Sequence, residues 1–297
     1  MNDFAPQPEQ LEFARALMAL VESHNESGAP DASVDLWTDL AGMGFLGLCA
    51  EGGGGGARDL VVAMEALGRV VCPGPIVGTA AAAPLLEDAQ REELNAGRLR
   101  VTFTDGVHIP WAESASMLIE VRQGEAWLIA DPGDITPVRT LSGEPWALGA
   151  PTRGPLLPES TGALILFDLG LSAYLLGCAR RLIDQGAEHA RVRTQFGHVI
   201  GDFQAVAHPL AIALAQNNAS SQLVGLAAFE MDHGQCDPAR ARLVRRASTK
   251  AALLAATAVH QAMGGLGFAI ETGVGVVSTR IRQWSLLPPA SDDFDLA

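Results

Sequence analysis

Apolar residues in the first third of the chain recur at the three- and four-residue spacing of amphipathic helices. In EQLEFARALMALVESH they include Leu11, Leu17 and Val21, and ARDLVVAMEALGRVV repeats the spacing after a glycine-rich turn. Between these two, SVDLWTDLAGMGFLGL opens with Ser33 as a plausible N-terminal cap and ends in glycines. The pattern predicts an α-helical domain over residues 1–95.

From residue 96 to residue 167 the apolar residues form short runs instead. LRVTFT, SMLIEVR, AWLIA and GALILF are rich in strand-forming residues and are separated by Gly, Pro and Asp. MLIEVRQGEAWLIA has the pattern of a hairpin that turns near Gly124. We therefore predict a small β-domain over residues 96–167, either a sheet or a partial barrel.

Helical spacing returns from Asp168 to the end of the chain. One helix with a single apolar face begins there, and a second long helix begins at about Phe203. A third opens at Asp237–Pro238, because Asp can cap free N–H groups and Pro suits the first turn. It runs to Gly264–Gly265, and a last apolar segment covers 273–287. The chain is therefore predicted to be mainly α, with an antiparallel helical bundle over residues 168–297.

The composition favours a globular protein that does not bind nucleic acid or membranes. Hydrophobic residues make up 48% and charged residues 18% of the 297 residues, so much surface must be buried, partly against other chains. Twenty basic against 34 acidic side chains give a net charge of −14, which disfavours nucleic acid and anionic membranes as partners. The longest apolar stretch, from Ala251 onward, is interrupted by His260 and Gln261, which favours a buried helix over a membrane span.

Targeting and metal-binding signals are missing from the sequence. The start, MNDFAPQPEQ, carries two acids and no apolar core, unlike a signal peptide. The cysteines have no paired spacing, and we expect reduced thiols in a cytoplasmic protein; they are Cys49, Cys72, Cys178 and Cys236. Because there is no CxxC and no HExxH, we expect no metal site.

The glycine run EGGGGG at 51–56 precedes a helix and suggests a phosphate-binding loop. It lacks the Gly-Lys-Ser/Thr of such a loop and the strand–turn–helix context of a dinucleotide fold. We therefore interpret it as a flexible turn. No GxSxG or SxxK motif indicates nucleophilic catalysis.

The segment RVRTQFGHVIGDFQAVAH, residues 191–208, places a cation, an aromatic ring and a glycine at a corner between two helices. An arginine beside a helix start, such as Arg193, can bind a pyrophosphate through two hydrogen bonds, and free N–H groups nearby add positive potential. The same residues also fit an inter-helix salt bridge at Arg193 and a core position for Phe196. Local spacing alone favours this second interpretation.

A second cluster, VHQAMGGLGF, places Gln261 three residues before Gly264–Gly265 at a helix C-terminus. An amide can donate to and accept from a nucleotide, and paired glycines let a ligand approach the backbone closely. Taken by itself, the pattern equally fits an ordinary helix terminus.

Together these segments resemble the acyl-CoA dehydrogenase family. RTQFGHVIGDFQAVAHPLA resembles the family's R-x-Q-F-G-x-x-I-x-x-F-Q-x-x-x-H-x-L-A run, and HQAMGGLGF resembles its Q-x-x-G-G-x-G-F. In the N-terminal half, LWTDLAGMGFLGLCAEGGGGG and MEALGRVVCPGP resemble the family's L-G-x-L-G-L…E-x-x-G-G and E-x-L-G-R…P-x-P. The resemblance implies an N-terminal helical lobe, a middle β-domain and a C-terminal antiparallel four-helix bundle.

The resemblance also implies FAD as the cofactor. In that family the flavin ring lies between the β-domain and the bundle of one subunit, and the adenosine diphosphate arm crosses to a neighbouring subunit. Carried over by motif, Arg193 would bind the FAD pyrophosphate and Phe196 would pack beside the cofactor. Gln261, Gly264 and Gly265 would line the nucleotide arm.

Two departures from the family pattern concern catalysis. The family's base is typically a Glu roughly twenty residues beyond the Gly-Gly pair, where this chain has Pro288 and Pro289, and neither proline can abstract a proton. Some members place the base at the start of the first bundle helix, where this chain has Asp168, which is also an ordinary helix cap. The middle β-domain is reduced, and the family's flavin-facing GAGSD-like stretch is missing between 100 and 165.

These departures make the chain similar to the short subunit of heteromeric bacterial acyl-CoA dehydrogenases. Such a subunit would join a full-length homologue in a heterotetramer, and the partner would supply the base and the flavin pocket that oxidise an acyl-CoA to the 2,3-enoyl-CoA. The acyl group would come from steroid side-chain breakdown or from another acyl-CoA. Two alternatives stay open: a self-sufficient homo-oligomeric dehydrogenase with Asp168 as base, and a non-catalytic scaffold or regulator.

Overall fold

The computed structural model describes residues 5–26 and 34–287, and its first part is helical, as the sequence predicts. The helices of this N-terminal lobe are α1 (Pro8–Glu26), α2 (Val34–Gly42), α3 (Ala57–Arg69), α4 (Ile76–Ala82) and α5 (Asp88–Asn95). Leu17 and Val21, which the spacing assigns to the apolar face of α1, are fully buried. The proposed cap Ser33 and the two prolines at 288 and 289 lie outside the described residues.

The middle region forms two small sheets. The strands are β1 (Val101–Thr104), β2 (His108–Pro110), β3 (Met117–Arg122), β4 (Glu125–Asp131), β5 (Thr136–Arg139), β6 (Pro145–Leu148) and β7 (Thr152–Leu156). One sheet has the order β1-β3-β4-β7, with β1 parallel to β3, and the other has the order β2-β6-β5. The predicted hairpin is confirmed: β3 and β4 pair antiparallel, and Gln123 and Gly124 turn between them with φ of 56° and 72°.

The last predicted strand, GALILF at 162–167, is wrong. These residues lie in the first turns of the long helix α6 (Thr161–Val192), which begins before the predicted boundary at residue 168. The side chains from Ala163 to Phe167 are all at most 5% exposed. An apolar run that is buried on every side has neither helical nor strand periodicity, so its pattern cannot distinguish the two.

The rest of the described chain is a bundle of four helices, which confirms the predicted mainly-α fold class. After α6 come a two-strand hairpin, β8 (Thr194–Gln195) and β9 (His198–Val199), and then α7 (Gln204–Asp232), α8 (Pro238–Met263) and α9 (Val274–Trp284). The predicted start of α8 is confirmed, because the Asp237 carboxylate accepts the Arg240 backbone N–H at 2.8 Å. Gly264 ends α8 with φ of 57° and ψ of −133°, a conformation that glycine tolerates best.

Glycines let α3 and α6 pack with their backbones in contact. A Cβ atom at Gly177 would lie 2.0 Å from the carbonyl oxygen of Glu65, and a Cβ at Gly68 would lie 2.1 Å from that of Tyr174. Helix α6 therefore sits at the centre of the molecule, between the N-terminal lobe and the other three bundle helices.

Two segments, Thr161–Val192 and Pro238–Phe268, are long and apolar enough to cross a membrane by length and composition alone. In the first, 94% of the most apolar window is buried inside the protein, as expected for the core helix of a domain, against 39% in the second. The absence of a membrane span stays a prediction.

Candidate functional site

The two sequence clusters lie at the same end of the bundle. Nη1 of Arg245 is 2.7 Å from Oδ1 of Asp168, and a Cβ at Gly186 would lie 3.0 Å from Cγ2 of Val259. Residue numbers thus rise together along α6 and α8, so these two helices run parallel and end on the same side. The corner after α6 and the glycine pair after α8 therefore lie at the same end of the bundle.

Arg193 directly follows α6 and is exposed. Its backbone is fixed, because its N–H donates to the His189 carbonyl at 2.9 Å and its carbonyl accepts from Ile200 at 2.8 Å. Within the described part of the chain its guanidinium has no carboxylate partner, whereas the neighbouring Arg191 pairs with Glu188 at 3.4 Å. The guanidinium of Arg193 is thus available to an outside anion.

Phe196 forms the tip of the β8–β9 hairpin. Its side chain is 91% exposed, and it has φ of 54°, followed by Gly197 with φ of 80°. The ring meets only the edge of Phe203, with centroids 6.3 Å apart. The interpretation favoured by local spacing, an inter-helix salt bridge with a core Phe, is therefore wrong on both counts for the residues described.

The start of α7 adds positive potential at the same corner. Its N-cap residue, Phe203, offers no side-chain acceptor to the first N–H groups of this 29-residue helix. The N-terminus of a helix carries a partial positive charge of roughly half a unit, which favours an anion.

Gln261, Gly264 and Gly265 are all exposed beyond this corner. A Cβ atom at either glycine would meet no other atom within 4 Å, so the backbone is open to a ligand. His260 fixes the end of α8 against α9, since its Nε2 lies 2.9 Å from Oγ of Ser278. This end of the bundle offers a set of hydrogen-bond donors suited to a nucleotide diphosphate. The donors are the Gln261 amide, the backbone of the glycine pair, the Arg193 guanidinium and the N-terminus of α7.

Asp168 lies elsewhere, and its predicted place at a helix start is wrong. It is the eighth residue of α6, 1% exposed, so it caps nothing. Its carboxylate pairs with Arg245, whose Nη2 donates to the carbonyl of Leu287 and whose guanidinium lies 5.7 Å from the Phe167 ring centre. The geometry argues against a catalytic base here, because the carboxylate is held in a buried ion pair.

The other deeply buried carboxylates of the described chain are also paired with arginines. Glu120 bonds Arg153, and Oε1 of Glu144 lies 3.1 Å from Nε of Arg280. Burial raises the pKa of Glu144, although Arg280 and a 2.6 Å hydrogen bond from the indole of Trp284 oppose the shift. The carboxylates of Asp168, Glu120 and Glu144 are therefore not free to take a proton from a substrate.

Aromatic rings fill the space where the N-terminal lobe, β1, α6 and α9 meet. Trp284 stacks on Tyr174 with centroids 4.1 Å apart and meets the edge of Trp111 at 5.3 Å. The cavity left between Phe103, Phe167 and these tryptophans is about 10 Å³, no more than a water needs. The interior thus has no room for a flavin ring at this junction.

The phosphate-loop interpretation of the glycine run is excluded by the position of Asp232. This carboxylate accepts the backbone N–H groups of Ala57 at 2.7 Å and Arg58 at 3.2 Å at the start of α3. A Cβ at Gly56 would lie 2.5 Å from it. Asp232 thus occupies the anion site itself, a role that no local signal in the sequence indicates. Within 5–26 and 34–287 no group of three or more His, Cys, Asp or Glu could hold a metal ion.

Comparison with known proteins agrees with the geometry of the bundle. Residues 168–286 match the family described as acyl-CoA dehydrogenase, C-terminal domain. The acyl-CoA dehydrogenase FadE34 of Mycobacterium tuberculosis is 29% identical over 285 residues, covering 86% of this chain but only 40% of FadE34. The acyl-CoA dehydrogenase IpdE2 of the same organism is 26% identical over 299 residues, covering 89% of this chain and 88% of IpdE2.

Solved structures show the same fold over nearly the whole chain. A chain of the ChsE4–ChsE5 complex from Mycobacterium tuberculosis superposes with a TM-score of 0.78 at 19% identity, covering 95% of this chain and 93% of that one. A chain of a Tcur3481–Tcur3483 steroid ACAD variant gives 0.76 at 23% identity, covering 93% and 92%. Residues 168–286 therefore match the C-terminal domain of acyl-CoA dehydrogenases, and nearly the whole chain has the fold of these solved structures.

Proposed function

We propose that this chain is a subunit of a flavin-dependent acyl-CoA dehydrogenase in which it grips the nucleotide arm of an FAD whose ring is housed mainly by a partner subunit. The observation that carries the proposal is the contrast between an exposed, unpaired arginine and buried carboxylates that are ion-paired. Arg193 is exposed and unpaired among the described residues, at the same end of the bundle as Gln261 and the open glycines, whereas the carboxylates of Asp168, Glu120 and Glu144 are tied to arginines.

The residues present fit a dinucleotide arm. Arg193 would hold the pyrophosphate through its guanidinium, and the N-terminus of α7 would add positive potential. The amide of Gln261 would bind the nucleoside, and Gly264 and Gly265 would let the arm lie against the backbone. When bound, the flavin supplies the hydride acceptor, which is chemistry that no side chain can provide.

The overall reaction converts an acyl-CoA into the 2,3-enoyl-CoA by removal of a proton from the α-carbon and a hydride from the β-carbon. The proton needs a carboxylate or similar base within reach. Because Asp168, Glu120 and Glu144 are ion-paired and aromatic rings fill the junction of the N-terminal lobe with α6 and α9, the base and the ring pocket come from the partner. The partner is a full-length acyl-CoA dehydrogenase homologue, and the assembly is a heterotetramer.

Exposed apolar side chains mark where the partner covers this end of the bundle. Phe196, Phe268 and Ile270 are 91%, 77% and 89% exposed. Large apolar side chains exposed at one end of a bundle are typical of protein interfaces. The ChsE4–ChsE5 and Tcur3481–Tcur3483 assemblies, whose chains have this fold, support a two-component complex. The steroid ACAD among them supports a steroid-derived acyl group as substrate.

The test is to co-express the chain with its full-length homologue and to measure bound flavin and acyl-CoA oxidation. We expect flavin and turnover in the complex, and neither in this chain alone. Arg193→Ala in the complex should lower flavin affinity by about tenfold to a hundredfold, since a charge-assisted bidentate contact is lost.

Arg191→Ala is the matched control, because Arg191 is equally exposed but pairs with Glu188. It should leave flavin affinity unchanged. Full flavin occupancy and turnover by this chain alone would contradict the partner-dependent site. Equal flavin affinity of the Arg193→Ala and wild-type complexes would favour the alternative of a non-catalytic scaffold.

A further inference from the structure

One face of α8 carries three cations in a row. Arg242, Arg246 and Lys250 are four residues apart, which places them on one side of a helix. Arg246 and Lys250 are exposed and Arg242 is half-buried. None of the three has a hydrogen bond, ion pair or ring contact within the described part of the chain. We call these three residues the α8 basic row.

Within residues 34–287, the helices α7, α8 and α9 place no acid beside the row. Helix α8 has no Asp or Glu over its 26 residues, and neither has α9. On α7, the stretch 204–229 contains no charged residue except the neutral-counted His208. The next acid, Glu230, is already bonded to Arg240 at 2.9 Å.

Such a row is unfavourable in the isolated chain. Like charges at i, i+4 repel each other and destabilise a helix. The other two arginines of α8 contrast with it, since Arg240 pairs with Glu230 and Arg245 with Asp168. On α8, the arginines that stabilise the fold are thus paired with acids, and within the described residues the three members of the α8 basic row are not.

The region around the row has a net charge opposite in sign to that of the whole chain. Residues 233–287 hold seven basic and two acidic side chains, a net charge of +5, while the complete chain has −14. The remaining residues therefore carry −19. A basic face in a strongly acidic protein is complementary to an acidic partner surface.

The row is continuous with the proposed nucleotide contacts. Leu254, Thr257 and Gln261 are exposed on the same side of α8 and lead from Lys250 to the glycine pair. Lys250 and Met263 are about 20 Å apart along the helix axis, so the row and the nucleotide contacts occupy different stretches of one face. A partner that covers the nucleotide end lies along the whole face.

We infer that the α8 basic row docks a carboxylate-bearing helix of the full-length partner subunit, so that electrostatic complementarity selects this partner over a second copy of the chain. This inference rests on the proposed function. It assigns the three cations to recognition of the partner protein, whereas Arg193 holds the cofactor. Two copies brought together by this face would instead oppose six cations with no acid between them.

The test is the double charge reversal R246E/K250E in the complex with the co-expressed full-length homologue. We expect affinity for the partner to fall about tenfold or more, and the salt dependence of the remaining binding to flatten or reverse. The matched control is R122E/R139E, because Arg122 and Arg139 are exposed on the β-sheets and also unpaired within the described residues. The control should bind as tightly as wild type.

The isolated chain provides a second measurement. Since the reversal removes like-charge repulsion, its Tm should be unchanged or slightly higher. A lower Tm would show that residues of this chain already cover the row and would overturn the inference. Equal affinity and equal salt dependence of R246E/K250E and wild type would overturn it as well.

Other ligands of the α8 basic row, and a failure of the proposed function, would each give a result different from the one expected above. Retention of a DNA duplex or of anionic phosphatidylserine vesicles by wild type, abolished in R246E/K250E, would overturn the inference in favour of those ligands. A chain that forms homodimers through this face would dissociate on reversal. If wild type binds no full-length homologue and no flavin at all, the proposed function itself fails.

Discussion

At the scale of single residues, the ion pair of Asp168 and Arg245 shows how burial decides what a carboxylate can do. Both side chains are at most 2% exposed, and their atoms meet at 2.7 Å. Arg245 also donates to the Leu287 carbonyl, so the pair ties α6 and α8 to the last described residue. An acid held in this way stabilises the fold instead of accepting protons from a ligand.

We predict that Asp168→Asn destabilises the chain by about 3–5 kcal/mol, because it breaks the buried ion pair of Asp168 with the Arg245 guanidinium. Urea unfolding of the isolated chain measures this directly. Loss of dehydrogenase turnover with unchanged stability would instead support the alternative in which Asp168 is the base.

The matched control for Asp168 is Asp184→Asn. Asp184 also pairs with arginines, Arg69 at 3.0 Å and Arg180 at 2.9 Å, but its side chain is 44% exposed. Because solvent screens such pairs, its loss should cost under about 1 kcal/mol.

Sequence reasoning reached the exposed candidates and missed this pair for one physical reason. Arg193, Gln261 and the glycines were predicted because each lies in a continuous motif that resembles a known family, and their role stays a prediction. The role of Asp168 depends on Arg245, 77 residues away, and that of Asp232 on N–H groups 174 and 175 residues away. Only the fold brings these partners together.

At the scale of elements, the ends of helices and turns were predictable and the interior of α6 was not. Asp237, Gly264 and Gly124 act through the local backbone, so the start and end of α8 and the β3–β4 hairpin followed from sequence. The run before Asp168 has no periodicity, because α6 is surrounded by α3, α4, α7, α8 and α9. A helix in that position is apolar on all sides, so its sequence lacks the amphipathic periodicity that identifies a helix.

The close packing of α6 on α3 yields a second prediction. Gly177→Ala places a methyl group 2.0 Å from the carbonyl oxygen of Glu65, a backbone atom that cannot rotate away. The two helices must separate, and we expect a loss of about 1–3 kcal/mol or more in unfolding free energy. Differential scanning calorimetry of the isolated chain measures the loss.

Gly162→Ala tests the same substitution in the same helix without the contact. A Cβ there would meet no atom within 4 Å. Because alanine is the better helix former, this variant should be as stable as wild type or up to about 1 kcal/mol more stable. Equal behaviour of the two variants would contradict the packing argument.

At the scale of the whole molecule, two groups of cations can be distinguished. Buried arginines pair with acids and stabilise the fold, whereas some cations on the bundle surface lack such pairs in the described residues. The arginines that serve the fold, Arg245 and Arg280, are buried against Asp168 and Glu144. Arg193 and the α8 basic row have no such partners among the described residues, and both lie on the bundle. This arrangement fits a chain whose native state is an assembly. The composition gives the number of charged residues but not the positions of the unpaired ones.

One acidic group couples the stability of the whole molecule to pH. Glu65 lines a cleft between α1, α3 and α7 of about 380 Å³. Burial raises the pKa of Glu65 above its usual value of 4.5, although Ser221 and the charges of Arg69 and Arg180 oppose the shift. The folded state therefore binds this proton more readily than the unfolded state.

The stability that Glu65 contributes is thus fully present below the unfolded pKa and is lost as the pH rises through the folded one. Glu65→Gln keeps the shape and removes the titration, so its unfolding free energy relative to wild type should increase as the pH rises from about 4 to 8. The difference between the two proteins is the quantity to measure, by urea unfolding at each pH, since the net charge of −14 adds a background that both share. A difference that stays constant or declines with pH would mean that Arg69 and Arg180 outweigh burial at this site.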